Sequence, residues 1–247
     1  MMYRARDTAR VEELLAKLTQ GFHIIDLGEL QWFLGMRILR DRKARKLWLV
    51  QDTYWETIYL RFNLSEAGKR HYKVPRWREL KEYEGEASAA SKKEYLEKIG
   101  SLLYGAVTTR PDIAEAASHL SRYSRNPGPI HHDALDEALL YGYHTRHLAI
   151  QYGGDEEPNV RSLICSSDAS FADNPDRRSS QGFVISLFGG PIVWRANKQD
   201  TVTTSSTEAE LLALSQTVKE AIFRVCSVDL SGCEAMYLFP TPAHSKL

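Results

Sequence analysis

The stretch TTSSTEAELLALSQTVKEAIF, residues 203–223, places two acids, Glu208 and Glu210, in the first turns of a helical pattern. A carboxylate there can satisfy free backbone N–H groups, or it can join an acid from another element and hold a hard divalent cation through oxygen. Ser205 followed three residues later by Glu208 fits the capping box, which gives Glu208 a sufficient structural task. Glu210 lies past that reach, beside Leu211 of an expected core stripe formed by Leu211, Leu214, Val218, Ile222 and Val225. An acid at that position is costly to desolvate unless paired or metal-bound, and the other reading is a solvated flank. The candidate partner is Asp168, in SLICSSDASFAD, where an apolar strand pattern turns polar; a strand-end turn residue is its bland alternative. Two such acids can hold Mg²⁺ and assist in-line displacement at a phosphodiester. Arg177, Arg178, Arg195 and Lys198 flank the pair, either to hold a phosphate backbone or as ordinary surface charge.

The elements that must position these residues follow from periodicity. Residues 7–20 have apolar residues at helical spacing, and 21–75 read as a strand, a hairpin with a charged turn, and a helix carrying Trp55, Ile58, Tyr59 and Phe62. Residues 76–93 lack an apolar period and are expected to be a linker or mobile loop. Residues 94–158 form a helical segment, with two helices split at Arg110-Pro111 and a third over about 131–148, ending in the turn-rich YGGDEEPN. From 159 to 247 the period changes to three strand-like runs with a hairpin turn at Gly189-Gly190, followed by the long helix. The expected class is α/β or α+β.

Composition narrows the partners little. Lys+Arg and Asp+Glu are both 32, so only local patches can point to nucleic acid. RILRDRKARK, residues 37–46, is one such patch. Arg42, Lys43 and Arg45 at its tip can contact phosphates or form a solvated hairpin end. Three cysteines without C-x-x-C spacing, no apolar leader and no long apolar run imply an intracellular protein, cytoplasmic or nuclear, with no membrane partner. Trp32, Trp48, Trp55 and Trp194 read as core residues rather than base-stacking platforms, and His131-His132 as helix-start residues rather than metal ligands.

The segment from DASFADNPDRRSS through SSTEAELLALSQTVKEAIF resembles the ribonuclease H domain of copia-type LTR retrotransposon polyproteins. Upstream, DLGELQWFLGMRILRD and YLEKIGSLLYGAVTTRPDIAEAASHLSRYSRNPGPIHHDAL resemble the end of that family's reverse transcriptase and the connection to ribonuclease H. The resemblance implies a reverse-transcriptase remnant at 1–75, the connection at 94–158, and an RNase H-like mixed sheet, incomplete at the C-terminus, at 159–247. It makes Asp168 the first carboxylate and Glu210 the helix carboxylate, with Mg²⁺ or Mn²⁺ as cofactor and an RNA/DNA hybrid as partner. No Asp-Asp dipeptide occurs, so polymerase activity is not expected. After Phe223 the family's next strand-borne Asp is missing. Metal is therefore expected to bind weakly if at all, hydrolysis to be impaired, and a strand of the incomplete sheet to be left as an exposed edge. A non-catalytic nucleic-acid-binding or interaction protein, or a decayed element, are the alternatives.

Overall fold

The computed structural model describes residues 8–23, 28–64, 80–154, 163–227 and 236–240. The chain divides into a unit ending at Gln31 and one from Trp32 onward. The first holds α1 (Thr8–Gly21), the helix expected there. Among the described residues, no helix is long and apolar enough to cross a membrane. The fold is α+β.

The second unit opens with an antiparallel sheet in the order β1 (Trp32–Phe33), β2 (Met36–Asp41), β3 (Lys46–Val50), β4 (Ile150–Gly153). The charged hairpin turn closes because the Asp41 carboxylate accepts the N–H groups of Lys43 and Ala44, each at 2.9 Å. Trp32 is half exposed rather than core, because β1 is a two-residue strand at the sheet edge. β4 is a strand where periodicity gave none. It pairs with β3 from about a hundred residues earlier, so residues on either side of the expected linker share one sheet.

The helical layer comprises α2 (Asp52–Arg61), α3 (Ala89–Thr108), α4 (Ala114–Leu120) and α5 (Pro129–His144). Trp55, Tyr95, Leu102, Leu120, Leu135 and Leu139 form its buried centre. Arg110 is itself buried between α3 and α4. Its guanidinium grips Asp112 through two hydrogen bonds of 2.9 and 2.7 Å and donates to the Gly142 and Thr145 carbonyls and the Thr145 hydroxyl. Arg-Pro-Asp is thus a buried clasp joining the α3–α4 corner to the end of α5.

α3 starts at Ala89, capped by the Ser88 hydroxyl, inside the segment expected as a loop. Residues 80–87 are tied down from outside. Tyr123 Oη donates to the Leu80 carbonyl at 2.9 Å, and the Asn126 amide donates to the carbonyls of Tyr83 and Gly85 while accepting the Ala87 N–H. Such strapping is tertiary and leaves no local period to read. His131 completes it from the first turn of α5. Its Nδ1 accepts the Gly128 N–H at 2.9 Å, so Nε2 carries the proton and donates to the Lys81 carbonyl at 2.8 Å.

That bonding requires a neutral ring. Burial pushes the His131 pKa down, the Lys81 carbonyl opposes this, and His132 adds to the lowering; the net shift is downward. A folded pKa below the unfolded value of about 6.5 means that His131 stabilises the fold fully above that pH. The contribution is lost as pH falls through the folded value. Compared with His131→Gln, which keeps an acceptor but does not titrate, the wild-type chain should lose stability from about pH 6.5 downward. Urea midpoints for both proteins across this range check the expectation, and a pH-independent difference between them would refute it.

The second sheet has the order β7 (Gly190–Lys198), β6 (Ser180–Leu187), β5 (Leu163–Ser170), β8 (Met236–Pro240). β5, β6 and β7 are antiparallel, and the tight β6–β7 turn uses Phe188 and Gly189, both at positive φ, one residue earlier than the expected Gly189-Gly190, since Gly190 pairs with Leu187 as the first residue of β7. β8 follows α6 (Ser206–Ser227) and pairs parallel to β5 from Leu163↔Met236 to Ser167↔Pro240. It occupies an edge of β5 where the sequence reading had no strand. None of its residues is acidic, in keeping with the missing Asp. The face of α6 also differs from expectation. Ala209, Ala213, Thr217 and Ala221 are buried, while Leu211 and Ile222 are more than half exposed. Small side chains at four-residue spacing let the helix lie close on the strands, an advantage that a hydrophobicity count does not register.

Candidate functional site

The hydroxyl cluster before α6 divides its labour. Thr203 is buried, and its hydroxyl meets that of Ser179 at 2.9 Å, joining the cluster to the loop after β5. Ser205 Oγ accepts the Glu208 N–H at 3.1 Å, while the Glu208 carboxylate accepts both the N–H and the hydroxyl of Thr204, at 2.6 and 2.8 Å. The two Thr204 bonds hold Glu208 below the usual carboxylate range. Glu208 is a cap.

Glu210 has a different setting. β5 runs three residues past the end of its β8 pairing, and in this overhang the Ala169 N–H donates to the Glu210 carboxylate. Glu210 Oε2 is buried without a hydrogen-bond partner. Burial raises the Glu210 pKa most, the Asp168 charge raises it further, and the Ala169 N–H opposes both; the net shift is upward. Asp168 is exposed in the same overhang, its register partner being Gly182 on β6. The structure thus brings the two acids into electrostatic contact at one strand end. No group of three or more His, Cys, Asp or Glu suited to a metal ion occurs among the described residues.

The basic candidates are dispersed. Lys198 pairs with Asp176 at 2.8 Å, and Arg178 lies 3.7 Å from the same carboxylate. Arg177 sits exposed at positive φ in the loop after β5, and Arg195 is exposed on β7. That loop is shaped by Asn174, whose amide donates to the Arg178 carbonyl at 2.7 Å, and by Asp173, which accepts the Ser180 N–H at 2.7 Å. Arg42, Lys43 and Arg45 stand exposed at the β2–β3 tip and do not line the cleft beside Asp168. Of the described tryptophans, only Trp55 is fully buried; Trp194 is partly buried and donates to the Ala106 carbonyl at 2.7 Å.

Asp168 borders a cleft of about 880 Å³ that periodicity had not indicated. One wall is the end of the second sheet, with Asp168, Asp176 and Lys198. The other comes from residues 80–83, α4 and the turn after it, with Tyr83, His119, Arg122 and Arg125. Arg122 bridges the walls by donating to the Asn174 side chain. The Ser-Arg of LSRYSRN was the available signal for this wall, but only the packed chain turns it toward Asp168.

Fold and site together define an α+β protein with an acidic pair at the end of a mixed sheet. No family model and no solved structure matches the chain. Over 229 residues it is 35% identical to a retrovirus-related Pol polyprotein from transposon TNT 1-94 of Nicotiana tabacum, covering 90% of this chain and 17% of that protein. It is 30% identical over 218 residues to the transposon Ty5-1 protein of Saccharomyces cerevisiae, covering 85% of this chain and 67% of the yeast protein. It also shares 38% identity over 130 residues with secreted RxLR effector protein 161 of Plasmopara viticola, covering 52% of this chain and 89% of that protein. The chain belongs to the family of retrovirus-related Pol polyproteins of transposons. It spans less than a fifth of the length of the tobacco polyprotein.

Proposed function

We propose that this chain carries the RNase H portion of a copia-type Pol polyprotein, preceded by the end of the reverse transcriptase and its connection. Its chemistry is cation-dependent hydrolysis of RNA in RNA/DNA hybrids, at a rate reduced because among the described residues only two acids meet. The observation that carries this reading is Glu210, whose buried, unpartnered oxygen lies within reach of the Asp168 charge at a strand end. Three antiparallel strands, a long helix and a fourth strand parallel to the first support it.

The donor set fits one hard cation. Asp168 and Glu210 supply two carboxylates, and Mg²⁺ commonly keeps several waters beside so few protein ligands. It does not fit two cations, since among the described residues no third acid joins the pair. A bound Mg²⁺ or Mn²⁺ would supply positive charge against the charge developing in an in-line displacement. The protein's share is positional: the Ala169 N–H fixes the Glu210 carboxylate, and the exposed Asp168 meets the substrate side.

Cleavage of a labelled RNA/DNA hybrid with Mg²⁺ or Mn²⁺ tests the reading. Slow metal-dependent cutting is expected, falling at least about a hundredfold in Asp168→Asn and Glu210→Gln, a loss typical of removing a group that stabilises transition-state charge. Cutting that persists in both variants, or none by any folded form, refutes it. The absence of a third acid beside the pair among the described residues favours a second reading, a non-catalytic nucleic-acid-binding protein, for which hybrid binding falls steeply with salt and is unchanged in Asp168→Asn.

A further inference from the structure

The first turns of α6 are fastened to the second sheet by a chain of buried and half-buried side-chain amides. Gln199, the residue after β7, is 3% exposed and does not line the cleft beside Asp168. Its backbone N–H donates to the Ser179 carbonyl at 2.8 Å, which extends the β6–β7 ladder and fixes where the side chain starts. Gln199 Nε2 then donates twice, to the Ala209 carbonyl at 2.8 Å and to Gln181 Oε1 at 3.1 Å. Gln181 Nε2 donates in turn to Gln216 Oε1. The chain therefore reaches α6 at Ala209 and again at Gln216, about 10 Å further along the helix axis. Two such points set both the height and the tilt of the helix on the sheet.

Both parts of the chain bear on Glu210. The Ala209 carbonyl belongs to the peptide group that carries the Glu210 N–H. Gln181 is the register partner of Ala169, whose own N–H donates to the Glu210 carboxylate. A slip of α6 by one residue, about 1.5 Å, would take Glu210 off that donor. Stability alone does not account for a glutamine here. Gln199 Oε1 is buried without a hydrogen-bond partner, a cost that an apolar side chain of similar size would not incur. The geometry points to Gln199 as a positioning residue, which acts through Ala209 and Gln181 to set α6 where Glu210 meets the Ala169 N–H beside Asp168. Supporting groups behind a metal ligand commonly fix its orientation in this way. The purpose of the positioning rests on the hydrolytic reading, whereas the positioning itself is a property of the metal-free chain.

Amide hydrogen exchange, followed by NMR on the full chain without metal, tests this. Gln199→Met keeps the length and bulk of the side chain but donates nothing. It should speed exchange of the Ala169 N–H about tenfold, the scale of one hydrogen bond, as should Glu210→Ala. Amides elsewhere in β5 and β6 should keep their wild-type rates, whereas a merely structural role would raise exchange across the whole sheet. Mn²⁺ binding, read by electron paramagnetic resonance, should weaken about tenfold or more in Gln199→Met. If Gln199→Met does not fold, Gln216→Met decides, since it removes the far anchor and should loosen Ala169 selectively by a smaller factor. Wild-type exchange at Ala169 in the folded variant would overturn the proposal, as would a uniform rise across the sheet. Equal Mn²⁺ binding by the wild type and Gln199→Met would overturn it too. Selective loosening at Ala169 in a chain that neither binds Mn²⁺ nor cuts hybrids upholds the positioning and removes the hydrolytic reading alone.

Discussion

Replacing Arg110 with alanine should destabilise the fold by about 3–5 kcal/mol, the range for breaking a buried ion pair from one side. The guanidinium is 2% exposed and serves Asp112, two backbone carbonyls and the Thr145 hydroxyl at once. It also lies over the rings of Trp55 and Tyr141, at 5.7 and 5.4 Å from their centroids. Alanine removes the Arg110 donor from each of these acceptors, leaving Asp112 the Tyr141 hydroxyl and the Thr145 carbonyl the Leu148 N–H. Arg110→Lys keeps the charge but not the planar fork, so it should recover little of the loss. Urea denaturation measures both variants, and a loss below about 1 kcal/mol, the scale of an exposed ion pair, would refute the clasp.

The pH dependence of that loss gives a second reading of the same clasp. Burial raises the Asp112 pKa, but hydrogen bonds and charge from Arg110, with the Tyr141 hydroxyl, overcome it, and the net shift is downward. A lowered folded pKa means that Asp112 contributes stability above its unfolded value of about 3.9, which is lost as pH falls through the folded value. In Arg110→Ala the main lowering influences are gone and burial remains, so the sign reverses. The variant should close part of its gap to the wild type on acidification from pH 7 toward about 5, as Asp112 takes up a proton.

What was legible in the sequence is what depends on near neighbours. The helix over Asp52–Arg61, the break at Arg110-Pro111 and the turn at Gly189 were read because periodicity, proline and glycine act within a few residues. The Glu208 cap was legible for the same reason, since its partners are Thr204 and Ser205. β4 escaped because it is four residues long and its partner strand lies far back in the chain. The face of α6 was misread because hydrophobicity favours Leu211 and Ile222, whereas closeness to the sheet selects Ala209, Ala213 and Ala221. Glu210 could be singled out by position and resemblance, but its meeting with the Ala169 N–H exists only once α6 reaches the end of β5. The ordering of residues 80–83 had no local signal, because Tyr123, Asn126 and His131 supply it from more than forty residues away.

The largest ring in the helical core gives the other strong prediction. Trp55 on α2 is 1% exposed and fits a slot between a glycine of α3 and a glycine of α5. A Cβ on Gly105 would come within 2.3 Å of Trp55 Cζ2, and one on Gly142 within 2.3 Å of Cζ3. In an ordinary helix interior, Gly→Ala gains about 0.5–1 kcal/mol. Here the ring cannot retreat, and overpacking costs of about 1–3 kcal/mol should win, so Gly142→Ala is expected to destabilise. Trp55→Ala should cost about 3–5 kcal/mol through the cavity it leaves. The decisive comparison is the double variant. Trp55→Phe removes the atoms that a Cβ would strike, together with an indole N–H buried without a hydrogen-bond partner. Gly142→Ala should therefore be tolerated on the Trp55→Phe background and not on the wild type, with a coupling of about 0.5–3 kcal/mol. If Gly142→Ala instead stabilises the wild-type chain by the ordinary helical increment, the ring does not depend on bare backbone at Gly142, and the packing of α2 against α5 has to be explained another way.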